Sequence, residues 1–208
     1  MAAEKNKIDL KKALKELYNP GKKEPAFVTV PQMPFIMIDG EGNPNNSKLF
    51  EECCEVLYGL SYTLKFMAKQ IKENPFDYIV MPLEGLWYAD DPSVFLKEKK
   101  EKWKWTLMVM QPEQITPAMY VQAVEQLRKK KNPAMLGQER FDTYNEGLSV
   151  QIMYIGPYSK ESPTIARLHQ SARDNGYILH GPHHEIYLSD PRRSNPDNLK
   201  TIIRQPVR

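Results

Sequence analysis

The residues best suited to chemistry lie near the end of the chain, in residues 181–191. Glu185 and Tyr187 are two positions apart in a short apolar run that is typical of a strand. Because side chains alternate along a strand, Glu185 and Tyr187 share one face, and Ile186 and Leu188 share the other. An ionised carboxylate is rarely buried alone, so Glu185 either contacts solvent or lies at the floor of a ligand pocket.

A carboxyl group in an apolar pocket has a particular chemistry. Loss of water raises its pKa toward the range in which it can accept or donate a proton during a reaction. A salt bridge is the competing interpretation for Glu185. The candidate partners for it are Arg167, Arg192 and Arg204. The residues themselves leave both interpretations open.

Aromatic side chains near the ends of predicted strands supply walls for such a pocket. They offer large, rigid surfaces with polar tips, which suit a flat polycyclic ligand, and a carboxylate among them would orient a cation or a hydrogen-bond donor. Each tryptophan taken singly is more typical of ordinary core packing. The candidate ligand-binding residues are Trp87, Tyr88, Trp103, Trp105, Ile152 and Tyr187, and Glu185 and Tyr154 are the candidate catalytic residues.

Other constellations are weaker. His183 and His184 are adjacent and therefore point to opposite faces of a strand, and no Cys or Asp completes a zinc set with them or with His180. We expect His184 to point toward the helices or a rim. The adjacent Cys53 and Cys54 cannot build a disulfide framework. Phosphate-loop and dinucleotide motifs are absent, so neither a metal nor a cofactor is expected.

The composition is typical of a soluble globular protein and disfavours several classes of partner. The 208 residues carry 29 basic and 26 acidic side chains, interleaved, with a formal net charge of +3, so direct nucleic-acid binding is not expected. No apolar run is long enough to span a bilayer, and residues 1–5 lack the apolar segment of a signal peptide. We therefore expect a cytoplasmic protein without membrane contact.

Helix-start and helix-stop signals divide the chain into elements. Ser47 is placed to cap a long helix. Thr116-Pro117 and Ser162-Pro163 each combine a cap with a proline at the first helical position, and Asn175-Gly176 marks a helix end. The predicted strands cover residues 27–38 with a break between Pro31 and Pro34, then 78–88, 102–111, 139–144, 148–155, 185–188 and 201–205.

The order of these elements repeats. A strand–helix–strand–strand unit occurs twice, and residues 35–40 resemble residues 151–156. Each unit alone would leave a sheet edge or face open, so pairing the units is the physical solution. The pattern predicts an α+β fold with two-fold architecture and helices on one side of the sheet. We place the ligand surface on the face turned away from the helices, at the seam between the units.

Four segments in the second half carry a family resemblance: residues 154–158 (Tyr-Ile-Gly-Pro-Tyr), 175–177, 181–191 and 201–207. Together they resemble the GyrI-like family of small-molecule-binding domains, and the first half matches more loosely. The resemblance implies a tandem β-α-β-β repeat with pseudo-two-fold symmetry and a ligand cleft at the seam, in which Glu185 lies. The implied organisation is an N-terminal extension over residues 1–24 and a GyrI-like domain over 25–208, with repeats at about 26–111 and 139–208 joined by a helix at about 117–131.

Two functions follow from the resemblance. One subset of the family, the cyclopropanoid cyclopropyl hydrolases, opens the strained cyclopropane of DNA-alkylating natural products with water inside an aromatic cage, which gives cellular protection. In this chain Glu185 would orient or deprotonate the water, and a tyrosine hydroxyl would donate to the phenolate. Tyr154 stands where many relatives have His. The alternative is non-catalytic sequestration of hydrophobic or cationic compounds, or modulation of DNA gyrase.

Overall fold

The computed structural model of the protein describes residues 7–45, 47–90 and 100–208. The strands are β1 (Ala26–Val30), β2 (Met33–Glu41), β3 (Leu83–Tyr88), β4 (Lys104–Met110), β5 (Glu139–Tyr144), β6 (Gly147–Ile155), β7 (His183–Tyr187) and β8 (Lys200–Pro206). The helices are α1 (Leu10–Ala13), α2 (Lys15–Tyr18), α3 (Lys48–Gln70), α4 (Pro117–Lys130) and α5 (Ser162–Asp174). Of the helices in the described part, none is both long and apolar enough to cross a membrane.

An antiparallel sheet in the order β1-β6-β8-β7-β3-β4-β2-β5 organises the described chain. The units β2-α3-β3-β4 and β6-α5-β7-β8 occupy its two halves and meet at the β3–β7 pair, so the predicted α+β fold with two repeats is confirmed. Each edge strand crosses over: β1 precedes β2 but pairs with β6, whereas β5 precedes β6 but pairs with β2. This exchange ties each half to the other.

The predicted caps explain where two helices begin. The Oγ of Ser47 accepts a hydrogen bond from the backbone N–H of Phe50 at 3.3 Å, which starts α3. The Oγ1 of Thr116 accepts one from the N–H of Met119 at 3.2 Å, and Pro117 follows as the first residue of α4. These two predictions are confirmed.

The start of α5 differs from its prediction by one residue. Ser162 is already helical, and Glu161 is the residue before the helix, with no side-chain bond to the first turn. The helix ends as predicted, because Gly176 takes a left-handed φ of +80° just after Asn175. The side chain of Glu161 therefore does not cap α5, although acidic residues often cap a helix from this position.

Two strand predictions change in extent. The run at residues 27–38 is two separate strands, because β1 leaves for the far half of the sheet before β2 begins. Residues 78–82 lie before β3 rather than in it, and Tyr78 makes a single bridge to Ile8. This segment holds Ile8 through two backbone hydrogen bonds of 2.9 Å, one to the carbonyl of Asp77 and one from the N–H of Ile79.

The two faces of the sheet are covered differently. Helices α3 and α5 lie on one face, which we call the helix face. The opposite face, the back face, receives residues 15–18: the Nη2 of Arg204 donates to the carbonyl of Leu17 at 2.7 Å, and the Nε2 of Gln151 donates to that of Glu16 at 2.6 Å. The prediction of helices on one side holds for the long helices, while the one-turn α2 closes the other side.

A buried ionic network lies on the back face between the two halves. The ring nitrogens of His184 lie 3.0 Å from Oε2 of Glu84 and 3.0 Å from Oε1 of Glu146. Arg204 donates to the second oxygen of Glu146, and the hydroxyl of Tyr18 donates to Glu84 at 2.8 Å. The charged side chains are at most 1% exposed. His184 thus lies on the side away from the long helices, so its predicted orientation was wrong.

The network shifts the protonation of its members. Burial alone lowers the pKa of His184, but the charge of Glu146 and hydrogen bonds to Glu146 and Glu84 outweigh it and raise the pKa to about 9. For Glu146, burial is outweighed by His184 and Arg204, which lower the pKa to about 2. At neutral pH the imidazolium therefore lies between two carboxylates, which satisfies the buried charges.

We predict a stability change with pH from His184. A raised folded-state pKa gives stability that is complete below the unfolded value of 6.5 and is lost as the pH rises through about 9. The change amounts to roughly 3 kcal/mol for this shift. The free energy of unfolding in urea, measured across this range, should fall in the wild type and fall much less in His184→Gln. The exposed His180 provides the control His180→Gln, which should follow the wild type; equal slopes in all three proteins would contradict the assignment.

Candidate functional site

Six residues of β3 and β7 form a line down the middle of the helix face, which we call the central seam. The register pairs Gly85 with Glu185, and the alternation brings the neighbours at two-residue spacing to the same side. The members are Leu83, Gly85, Trp87, His183, Glu185 and Tyr187.

The seam lies between the two long helices. On the α3 side, the hydroxyl of Tyr58 accepts a hydrogen bond from the backbone N–H of Leu83 at 3.1 Å. On the α5 side, Tyr158 packs edge-on against Tyr187 with ring centroids 5.8 Å apart. The predicted location on the face away from the helices is therefore wrong, because residues 15–18 and the ionic network already fill that face.

Glu185 is paired, but with a histidine. Its Oε1 lies 3.1 Å from Nε2 of His183, and the hydroxyl of Tyr187 also hydrogen-bonds to it. Arg204 binds Glu146 instead, and Arg192 binds Asp190. These two arginines therefore form their ion pairs elsewhere, and neither makes the salt bridge that was the competing interpretation for Glu185. Glu185 shares a face of β7 with Tyr187, as predicted.

Aromatic contacts join the seam to its surroundings. The Nε1 of Trp87 donates to the hydroxyl of Tyr187 at 3.0 Å, and the indole of Trp103 packs edge-on against Trp87 at 5.9 Å. Gly85 makes room for this arrangement, because a Cβ there would lie 3.0 Å from Nε1 of Trp87 and 3.3 Å from the hydroxyl of Tyr187. Trp87, Trp103, Tyr187 and Glu185 are thus the predicted site residues that the fold brings together.

A second carboxyl group, Glu161, faces the same region and was missed. Its Oε2 is enclosed and has no hydrogen-bond partner among the residues that the structure describes. Burial and the charge of Glu185 raise the pKa of Glu161 to about 9, while Lys100 opposes the shift. No sequence signal separates Glu161 from an ordinary acidic residue at a helix start.

Two histidines complete the polar part of the seam. His183 hydrogen-bonds to Glu185. Because residues 183–187 form a strand, alternation places His183 on the same face as Glu185, and the sequence could have indicated this. His169 of α5 hydrogen-bonds to Gln205, and its Nε2 is enclosed without a partner in the described part of the chain. Burial and the nearby His183 lower the pKa of His169 to about 4, so it is neutral at physiological pH. Among the described residues, no group of three or more His, Cys, Asp or Glu is arranged to hold a metal ion.

Two predicted ligand-binding residues belong to the core instead. Trp105 is fully buried under α3, where its ring packs against Phe50 with centroids 5.5 Å apart. It lies so close over Gly40 that a Cβ at Gly40 would meet the ring at 2.1 Å. Ile152 is fully buried in the cluster that includes Leu168 of α5. The structure places both residues in the core because a helix covers their strands, whereas β3 and β7 lie between the helices.

Two predicted tyrosines point elsewhere. Tyr88 alternates to the back face, where its hydroxyl lies 3.4 Å from Oγ1 of Thr106. The hydroxyl of Tyr154 donates to the carbonyl of Pro157 at 2.9 Å, and its ring packs with the α5 cluster. The position of Tyr154 therefore does not support the catalytic role that was predicted for it.

The seam is nearly closed. Glu185 is 8% exposed and Trp87 is 6% exposed. Surface depressions of about 370 Å³ and 420 Å³ lie outside the seam, one between α3 and α4 and the other beside Trp103. Shape alone would favour these depressions. The seam, however, holds Glu185 and faces Glu161, whose enclosed Oε2 has no hydrogen-bond partner among the described residues, so we take the seam as the candidate site. Trp103 lines the second depression and packs against Trp87, so it lies between that depression and the seam.

Small-molecule sites combine apolar and aromatic side chains with a few placed polar groups, and the seam has this composition. The model of the GyrI-like small molecule binding domain matches residues 23–208. The chain therefore belongs to the GyrI-like family.

Solved structures agree with this family. A conserved protein from Listeria innocua is 38% identical, with a TM-score of 0.89 over 97% of this chain and 100% of that one. A hydrolase from Listeria innocua is 37% identical, with a TM-score of 0.84 over the same shares. A hydrolase encoded by lin2189 of Listeria innocua is 36% identical, with a TM-score of 0.85, again over 97% and 100%. No curated protein matches the chain.

We predict that Gly85→Ala disturbs the seam. The added methyl group would crowd the Trp87–Tyr187 pair, which must move to relieve a contact of 3.0 Å. We expect a stability loss of about 1 kcal/mol and a shift in tryptophan emission as Trp87 changes its exposure. Urea unfolding and fluorescence measure both, and a Trp87→Phe background assigns the emission change. Gly21→Ala is the control, because nothing lies within 4 Å of a Cβ at that position; unchanged emission and stability in Gly85→Ala would contradict the prediction.

Proposed function

We propose that the protein is a hydrolase that opens the strained cyclopropane of electrophilic cyclopropanoid compounds with water. The observation that carries the proposal is the setting of Glu185, which is 8% exposed and lies beside Tyr187 and the indole of Trp87. The two hydrolases from Listeria innocua, at 36% and 37% identity over 97% of the chain, support the reaction class.

The reaction makes modest demands on the protein. In a spirocyclopropane conjugated to a dienone, the methylene carbon is electrophilic and ring opening relieves strain. Glu185 would accept a proton from water as the water attacks that carbon, and His183, 3.1 Å away, would hold the carboxylate in position. Positioning and proton acceptance together need to supply only a few kcal/mol to give a useful rate.

The aromatic residues would bind the flat ring system. Trp87 and Trp103 meet edge-on, and displacement of one indole would open a slot in which a polycyclic ligand stacks. Tyr187 is fixed by its bond from Trp87, so its ring would form a rigid wall beside Glu185. The residues proposed for binding are thus Trp87, Trp103 and Tyr187, with Glu185 as the catalytic base.

Binding without turnover is the second candidate function. A carboxylate among aromatic rings also suits an organic cation, because ring faces and the negative charge attract it together. The edge-on contact between Tyr158 and Tyr187 beside Glu185 favours this interpretation. In that case the protein would sequester the compound unchanged.

Replacement of Glu185 by Gln tests whether the protein hydrolyses its ligand or only binds it. With a spirocyclopropyl cyclohexadienone as substrate, the wild type should form ring-opened phenol over many turnovers. Glu185→Gln should lower kcat/KM by roughly 10²- to 10⁴-fold, the usual range for loss of a general base, with little change in ligand affinity. Chromatography of the product and quenching of tryptophan fluorescence measure the two quantities.

A matched control and a contrary outcome make this experiment decisive. Glu113 is exposed in the loop after β4, and Glu113→Gln should keep wild-type kinetics. Saturable binding of the dienone with no phenol formed by the wild type would sink hydrolysis and leave sequestration. Equal turnover in Glu185→Gln and the wild type would show that another group activates the water.

A further inference from the structure

Ring opening by water needs a proton donor as well as a base. As the cyclopropane bond breaks, its electron pair moves to the carbonyl oxygen of the dienone, which becomes a phenolate. The two tyrosines that the sequence singled out do not supply this donor, because the hydroxyl of Tyr187 hydrogen-bonds to Glu185 and that of Tyr154 donates to the carbonyl of Pro157.

The position of Glu161 suits the missing donor. It immediately precedes α5, yet its side chain makes no bond to the free N–H groups of the first turn. Its Oε2 is enclosed without a hydrogen-bond partner in the part of the chain that the structure describes. The turn Tyr158–Lys160 leads directly into it, and Tyr158 packs on Tyr187 of the seam. An enclosed carboxyl oxygen without a partner is costly, which is expected where a ligand supplies the partner.

The electrostatic surroundings favour a neutral Glu161. Loss of water is the largest cause, the charge of Glu185 is the second, and together they raise the pKa to about 9 against the weaker effect of Lys100. Two carboxyl groups close together in a poorly hydrated site cannot both ionise easily, so one keeps a proton. Among the residues that the structure describes, the charged and titratable groups that interact with Glu161 are Lys100, Tyr154, Tyr158, Glu185 and Tyr187.

We propose that Glu161 is the acid partner of Glu185: it donates a hydrogen bond to the carbonyl oxygen of the bound ligand and transfers its proton there as the ring opens. This inference rests on the proposed hydrolysis and names the ligand chemistry of the same seam. The ligand class is a neutral, flat electrophile with a carbonyl oxygen in conjugation with the strained ring.

The proposed step balances. The water oxygen forms a bond to the methylene carbon, and the bond from that carbon to the ring breaks. Glu185 takes the proton of the water, and Glu161 gives its proton to the oxygen that receives the electron pair. The product is a neutral phenol bearing a hydroxyethyl-type arm. The carboxyl groups have exchanged charge, and solvent restores their protons when the seam opens.

The pH profile of Glu161→Gln tests the assignment. Because Glu161 acts in its protonated form, the kcat/KM of the wild type should fall as the pH rises through about 9. Glu161→Gln should lower kcat/KM by roughly 10²-fold and lose this alkaline limb. Tyr158→Phe is the matched control, because it removes the neighbouring phenol and leaves the carboxyl group, so its alkaline limb should persist. A limb that persists in Glu161→Gln but is lost in Tyr158→Phe would overturn the proposal.

Two measurements without turnover keep this test separate from that of the hydrolysis. Infrared difference spectra over the same pH range should show the carbonyl band of a protonated carboxyl group in the wild type and not in Glu161→Gln. A dienone with cyclopentane in place of cyclopropane should bind more weakly as the pH rises through about 9 in the wild type only.

The outcomes then divide cleanly. If the wild type forms no phenol but shows both signals, the hydrolysis fails and the hydrogen-bond donor assigned to Glu161 stands. If the wild type turns over but the band is missing, or is kept in Glu161→Gln, the proposal for Glu161 is overturned and the hydrolysis stands.

Discussion

The pairing of β3 with β7 is the constraint on which the rest of the structure depends. Its register sets Leu86 opposite His184 and Gly85 opposite Glu185, so successive residues of β7 enter two separate environments. His184 joins the ionic network of the back face, and Glu185 enters the seam between the helices. A slip of one residue would exchange them and would bury Glu185 against Glu84 and Glu146. The network therefore fixes the register that places Glu185, the candidate base, in the seam.

The same network explains why residues outside the matched family domain belong to the fold. Buried charges require full sets of hydrogen bonds, and the donors and acceptors of Arg204 and Glu84 are completed by Leu17 and Tyr18. The matched domain begins at residue 23. Residues 15–18 therefore cover the back face and complete its bonds, and the helix face is left as the side where a seam can open.

Local patterns predicted the fold well, because caps and alternation are local physics. The helix starts at Ser47 and Thr116 and the shared face of Glu185 and Tyr187 needed only adjacent residues. The site was predicted less well, because membership depends on which strands the helices cover. Trp105 looked like a wall residue and is core, since only the three-dimensional fit over Gly40 under α3 decides its place.

Glu161 shows the limit of sequence inference in the other direction. An acidic residue before a Ser-Pro helix start is usually a solvated favourable charge, because the free N–H groups of the first turn attract it. Here the side chain makes no such bond. Burial raises the pKa of Glu161 most, and the charge of Glu185, on a strand that follows more than twenty residues later, raises it further. Long-range packing, and no local sequence signal, brings Glu161 and Glu185 into the same region.

The presence of two carboxyl groups, Glu161 and Glu185, in one region also limits the kind of ligand that can bind there. A permanent organic cation would favour two carboxylates, so its binding would have to drive the proton from Glu161 and would lower the pKa of that group. A neutral conjugated carbonyl compound makes the opposite demand, since it needs a hydrogen-bond donor for its oxygen and a base for the attacking water. The enclosed Oε2 of Glu161, which has no hydrogen-bond partner among the residues that the structure describes, matches the second demand better. The ligand that we propose is therefore a neutral electrophile, since a bound cation would first have to change the protonation of Glu161.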